Sequence, residues 1–140
     1  MVGLHRLAAG LVGGLFAAVF LIASNTAFAA PHQGDPASGK LMYQECEGCH
    51  AFNEHKIGPK HCGLIGRKAA SMADYPSYSH AMKDSGLTWD IKTLNAFLAE
   101  PLSFVPETGM GYIGISDEVS RIDLIAYIEQ QNKDPAVCPQ

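Results

Sequence analysis

Five consecutive residues, Cys46-Glu47-Gly48-Cys49-His50, constrain this chain more than any other stretch. Two thiols three positions apart share one turn, where each can add to a vinyl group of a haem. The adjacent His50 then lies under the ring, with an imidazole nitrogen in reach of the iron. C-x-x-C-H is the attachment signature of a c-type haem. The same residue types serve other chemistry too. A structural zinc site takes four ligands, typically as two spaced pairs, and His55, His61 and Cys62 follow closely enough to contribute. A thioredoxin-like dithiol would want a strand ahead of the motif and has no use for His50. The pentapeptide alone favours haem and leaves zinc open.

Residues 1–29 read as a secretory signal peptide rather than as part of a fold. His5 and Arg6 precede an apolar and small-residue run over residues 7–23, and Ala27-Phe28-Ala29 forms a small-x-small cleavage site. The alternative is an uncleaved anchor, for which the run is at the short end. Cleavage after Ala29 leaves residues 30–140 as a single domain. A domain of that size buries only a modest core, to which a haem would add a large apolar plate. Export fits the motif, because bacterial c-type haem attachment follows translocation. Losing Arg6 and no acid makes the remainder one unit more acidic than the −4 of the whole chain. With no basic stripe, nucleic acid and anionic membrane are poor partners.

The pattern predicts an all-α domain of about three main helices with long loops. Asp35 caps a first helix over residues 36–46, with Pro36 at its first position. Gly39 is costly there unless another backbone comes close. Residues 51–70, broken by Gly58-Pro59, Gly63 and Gly66, form a loop along one side of the haem. Residues 79–84 allow a short helical turn. Thr88 caps a second main helix over residues 89–99, which Pro101 ends. Residues 102–115 are loop. Ser116 caps the last helix, with Val119, Ile122, Ile125 and Ala126 on its apolar face and Leu124 and Ile128 widening it. No stretch alternates as a strand. Loops this long need something inside to organise them.

Further segments follow the motif in order: Lys56-Ile57-Gly58-Pro59, Gly63-Leu64-Ile65-Gly66-Arg67-Lys68, Gly86-Leu87-Thr88-Trp89, Met110 and Leu124-Ile125-Ala126-Tyr127. Together with Cys46–His50 they resemble class I cytochrome c, in the branch of mitochondrial cytochrome c and its bacterial periplasmic relatives. The resemblance covers roughly residues 34–128. It implies a fold wrapped around one haem c, with thioethers to Cys46 and Cys49, His50 as proximal ligand and Met110 as distal ligand. The Pro59 carbonyl would orient the His50 ring. Trp89 and Tyr78 match positions that hydrogen-bond a haem propionate, although alone they would be read as core aromatics. Arg67 matches a charge-compensating position near that propionate. Thr108 matches a hydroxyl that steadies the ligand loop. Tyr43 and Tyr127 match the contact where the first and last helices cross, which accounts for Gly39. Met72, Met82 or a His are the weaker candidates for the distal position, and Met42 on the first helix reads as core filler.

Two departures stand out. His61 and Cys62 lie where relatives carry other residues. Cys62 and Cys138 are the cysteines left after haem attachment, and an even remainder in an oxidising compartment suggests a disulfide. Many relatives also ring the haem edge with lysines, whereas this chain has Leu102, Ser103, Glu107 and Gly109 around the ligand loop. A more apolar docking contact through Leu102, Gly111, Tyr112 and Ile113 is expected. The resemblance implies a soluble, monomeric periplasmic one-electron carrier. It would not be an enzyme, would serve other redox proteins, and would meet membranes only through membrane-bound partners. The alternatives are a dedicated electron-transfer subunit of a periplasmic oxidoreductase and an open-site haem enzyme or gas-binding protein.

Overall fold

The computed structural model describes residues 32–139, so the expected signal peptide lies outside the described residues. Among the described residues five helices follow in order: α1 Pro36–Tyr43, α2 His80–Asp84, α3 Ile91–Ala99, α4 Pro101–Phe104 and α5 Glu118–Lys133. Among the described residues there is no strand, only an isolated antiparallel bridge between Lys68 and Thr88.

The frame is the crossing of α1 on α5. Asp35 caps α1 by accepting from the amides of Ala37 and Ser38, with Pro36 opening the helix. Gly39 sits at the crossing. A Cβ there would lie 2.0 Å from the Asp123 carbonyl oxygen and 2.8 Å from the Tyr127 Cβ. The absent side chain is therefore what lets the two backbones approach. One turn on, Tyr43 and Tyr127 meet edge to face with ring centroids 5.5 Å apart, as the resemblance implied. Asp123 is buried beside this seam and is satisfied by the Asp35 amide and by His32 Nε2.

Helix α5 starts one residue later than expected. Asp117, not Ser116, is the cap and accepts from the Ser120 amide. Leu124, Ile125 and Ile128 are buried, but Val119 is 48% exposed and lies off the apolar face. Arg121 takes a buried place instead, donating to Asn95 Oδ1 and to the carbonyls of Ile115 and Ser116. Those bonds tie α5 to α3 and to the segment after the Met110 loop.

Two boundaries differ from expectation near the middle of the chain. Asp90, rather than Thr88, caps α3 through the Thr93 amide. Trp89 therefore stands outside the helix, its amide donating to the Arg67 carbonyl and its own carbonyl accepting from Gly66. Thr88 is occupied by the bridge to Lys68, so it cannot cap. After Pro101 the chain makes the short helix α4, where continuous loop was expected. Proline is tolerated at a helix start, so the residue that ends α3 opens α4. The buried core joins Tyr43, Leu64, Trp89, Phe97, Leu98 and Leu124 across these elements.

Candidate haem site

The attachment turn grows directly out of α1. The amide of Cys46 donates to Tyr43 O, and those of Cys49 and His50 both donate to Cys46 O, at 3.0 and 2.8 Å. This tight turn brings the two thiols and the imidazole out of a few residues. Cys46 packs against the core and Cys49 is exposed, and neither is in a disulfide. Burial first, then the charges of Glu45 and Glu47, push the Cys46 thiol up to about 11.

His50 is aimed by its neighbours. Its Nδ1 lies 2.7 Å from the Pro59 carbonyl oxygen. A carbonyl only accepts, so Nδ1 carries the proton and Nε2 is the basic nitrogen. Burial pulls the ring's proton affinity down, which keeps it neutral. Gly58 presses on the same ring. A Cβ there would come within 2.2 Å of His50 Cε1 and 2.6 Å of Nε2. The Gly58 amide donates to Cys49 O, and the Tyr75 hydroxyl donates to the neighbouring Ile57 carbonyl, so this loop is held at both faces. The glycine is needed for its missing Cβ.

The residues that left zinc open are otherwise engaged. Cys62 is bonded to Cys138. His61 Nδ1 is 3.0 Å from the Tyr43 hydroxyl. His55 Nδ1 accepts from the Lys60 amide, and its Nε2 lies 3.1 Å from Asp74 Oδ2. Among the described residues no group of three or more His, Cys, Asp or Glu side chains converges on a metal position. A pair of unpaired thiols beside a neutral imidazole with a basic Nε2 fits a covalent haem instead.

The remaining candidates fall around one apolar surface. Trp89 belongs to the buried cluster, and Cys46, Tyr78 and Met110 pack against it. Tyr78 meets Tyr75 edge to face at 4.7 Å. Thr108 is buried, and its Oγ1 accepts from the Met110 amide at 3.4 Å. The Arg67 guanidinium donates to the carbonyls of Lys60 and Cys62, both at 3.0 Å. Arg67 is thus a clamp on residues 60–62, beyond the charge-compensating position that the resemblance gave it.

Two contacts had no signal in the sequence. Tyr112, two residues after Met110, donates to Glu45 Oε2 at 2.7 Å, one residue before Cys46. It ties the loop bearing Met110 to the attachment turn across 67 residues of chain. His61 stacks on His50, with ring centroids 4.3 Å apart and planes at 24°. Spacing offered His61 only as a possible zinc ligand, and the resemblance marked it only as a departure.

Comparison with known proteins agrees with this geometry. The chain is 37% identical over 115 residues to cytochrome c2 of Rhodomicrobium vannielii, covering 80% of this chain and 89% of that protein. It is 42% identical over 102 residues to cytochrome c of Theileria annulata, covering 70% of this chain and 87% of the relative. Among solved structures it is similar to cytochrome cH from Methylobacterium extorquens, with a TM-score of 0.67 and 42% identity over 69% of this chain and 99% of that one. No family model matches. A helical chain with this attachment turn, and with such identity along most of its relatives' length, belongs to the class I cytochrome c family and carries one haem c bound covalently through its cysteine pair, Cys46 and Cys49.

Proposed function

We propose that this cytochrome is a soluble periplasmic one-electron carrier, exported by residues 1–29, with His50 and Met110 as its axial ligands. The haem supplies the one-electron couple when bound, and ligation by His and Met raises its potential. The chain's own residues do the positioning. Pro59 and Gly58 hold His50 in one tautomer and one ring orientation. Thr108 supports the Met110 backbone, and Trp89, Tyr78 and the core shelter the site from water. The observation that carries the reading is the bond from Tyr112 to Glu45. It draws the loop bearing Met110 down against the attachment turn, which favours a closed iron over an open one.

The test is an optical spectrum of the purified protein in both redox states, beside that of Met110→Ala. The parent should show the weak sulfur-to-ferric-iron band and the variant should lack it. A parent without the band has an open site, and the enzyme or gas-binding reading replaces this one.

Partners are other redox proteins, met by the carrier as a monomer. Ile113 is 87% exposed beside Met110, and Leu102 and Gly111 are exposed as well. Tyr112 is half-buried through its bond to Glu45. An apolar docking contact here predicts electron-transfer rates that change little with added salt. A steep fall would indicate a strongly charged pair.

A further inference from the structure

His61 lies on the face of the proximal imidazole, and nothing in the carrier reading uses it. The two rings are stacked at 4.3 Å and 24°. The free edge of His61 is not left to rotate, because Nδ1 is 3.0 Å from the Tyr43 hydroxyl. Tyr43 is itself only 2% exposed and stacks on Phe52 at 4.6 Å. The backbone around His61 is held just as closely. The His61 amide donates to Ala51 O, its carbonyl accepts from Leu64, and the Cys62 amide donates to Phe52 O. Arg67 clamps the carbonyls of Lys60 and Cys62 on either side of it. The disulfide to Cys138 pins the very next residue.

A side chain kept merely to fill space would not need a hydrogen-bond partner. A half-buried imidazole with one satisfied nitrogen still carries a desolvation cost that an aliphatic residue avoids. What the aromatic ring supplies is a flat surface parallel to His50. Rotation of the His50 ring about its Cβ–Cγ bond would drive its edge into that surface. The Pro59 carbonyl restrains the same rotation from the edge, through one hydrogen bond.

We propose that His61 is a positioning residue that sets the ring plane of the proximal ligand, with Tyr43 holding His61 in place. The inference rests on His50 being the iron ligand. The orientation of an axial imidazole governs how unpaired spin is spread over the haem, so the ring plane has a direct readout.

The experiment is proton NMR of the ferric holoprotein, reading the order and spread of the haem-methyl shifts, with the reduction potential measured alongside. His61→Leu should lose the parent's methyl-shift order. His61→Phe, which keeps the flat face without the polar nitrogen, should retain most of it. Tyr43→Phe keeps the packing and removes the hydroxyl, and should broaden or partly reorder the shifts. A parent-like pattern in His61→Leu would overturn the proposal. If His61→Leu does not mature, Tyr43→Phe decides alone, and an unchanged pattern there overturns it. A parent lacking a low-spin, His50-ligated haem would instead remove the carrier reading, and this inference with it.

Discussion

Substituting Gly39 by alanine tests the central packing claim of this fold. The new methyl carbon would stand 2.0 Å from the Asp123 carbonyl oxygen and 2.6 Å from its carbon. Cβ contacts below 3.0 Å essentially do not occur, so α1 and α5 must separate locally by at least 1 Å. The obstruction is backbone in the middle of a 16-residue helix, so no rotamer change relieves it. A gap of that size forfeits roughly a quarter to a half of each dispersion contact across it. Tyr43 and Tyr127 lie in that seam. Overpacking of this kind costs about 3 kcal/mol, at the upper end of its usual range, because neither side can yield. Against it stands the better helix propensity of alanine, about 1 kcal/mol. The net is a loss of about 2 kcal/mol, or a midpoint lower by about 8 °C for a domain of this size. The assay is thermal or guanidinium unfolding of the holoprotein followed by far-ultraviolet circular dichroism. Gly48→Ala is the control, since a Cβ at Gly48 meets nothing within 4 Å. A Gly39→Ala protein as stable as its parent would refute the account of the crossing.

The Cys62–Cys138 bridge spans 76 residues, and the loop-entropy model values its closure at about 4.5 kcal/mol. Replacing both cysteines by serine should lower the guanidinium midpoint while the haem stays attached, and intact mass of the parent should be two hydrogens short. Full thiol labelling without reduction would contradict the bridge. Asp74 is held down to about 2 by donation from Lys60 and then His55. Its folded value lies below the unfolded one, so its small contribution to stability is present above pH ~4 and fades as pH falls toward 2. In Lys60→Met the Asp74 carboxyl should titrate nearer its ordinary value by NMR, and an unchanged midpoint would exclude Lys60 as the main cause.

Much of the site was legible because its chemistry is local. Cys46, Cys49 and His50 act from one turn, so their order in the chain already states their geometry. Asp35 and Pro36 announce the start of α1 for the same reason. The boundary at Trp89 was not legible, because it depends on a partner outside its own segment. The bridge from Lys68 engages Thr88, and Arg67 and Gly66 bind the Trp89 backbone, so the helix waits for Asp90. Val119, expected on the apolar face, is exposed while Arg121 is buried, because burial of an arginine is settled by acceptors outside its own helix, at Asn95, Ile115 and Ser116.

The haem and its two thioether positions follow from the sequence by itself, since covalent attachment needs only neighbours a few residues apart, and so does the all-helical character, since no stretch alternates as a strand. Tertiary structure alone decided that Gly58 would lie on His50, that Tyr112 would reach Glu45, and that His61 would stack on the His50 ring. Each of those joins residues brought together only when loops close, and a linear pattern does not encode which loop packs on which.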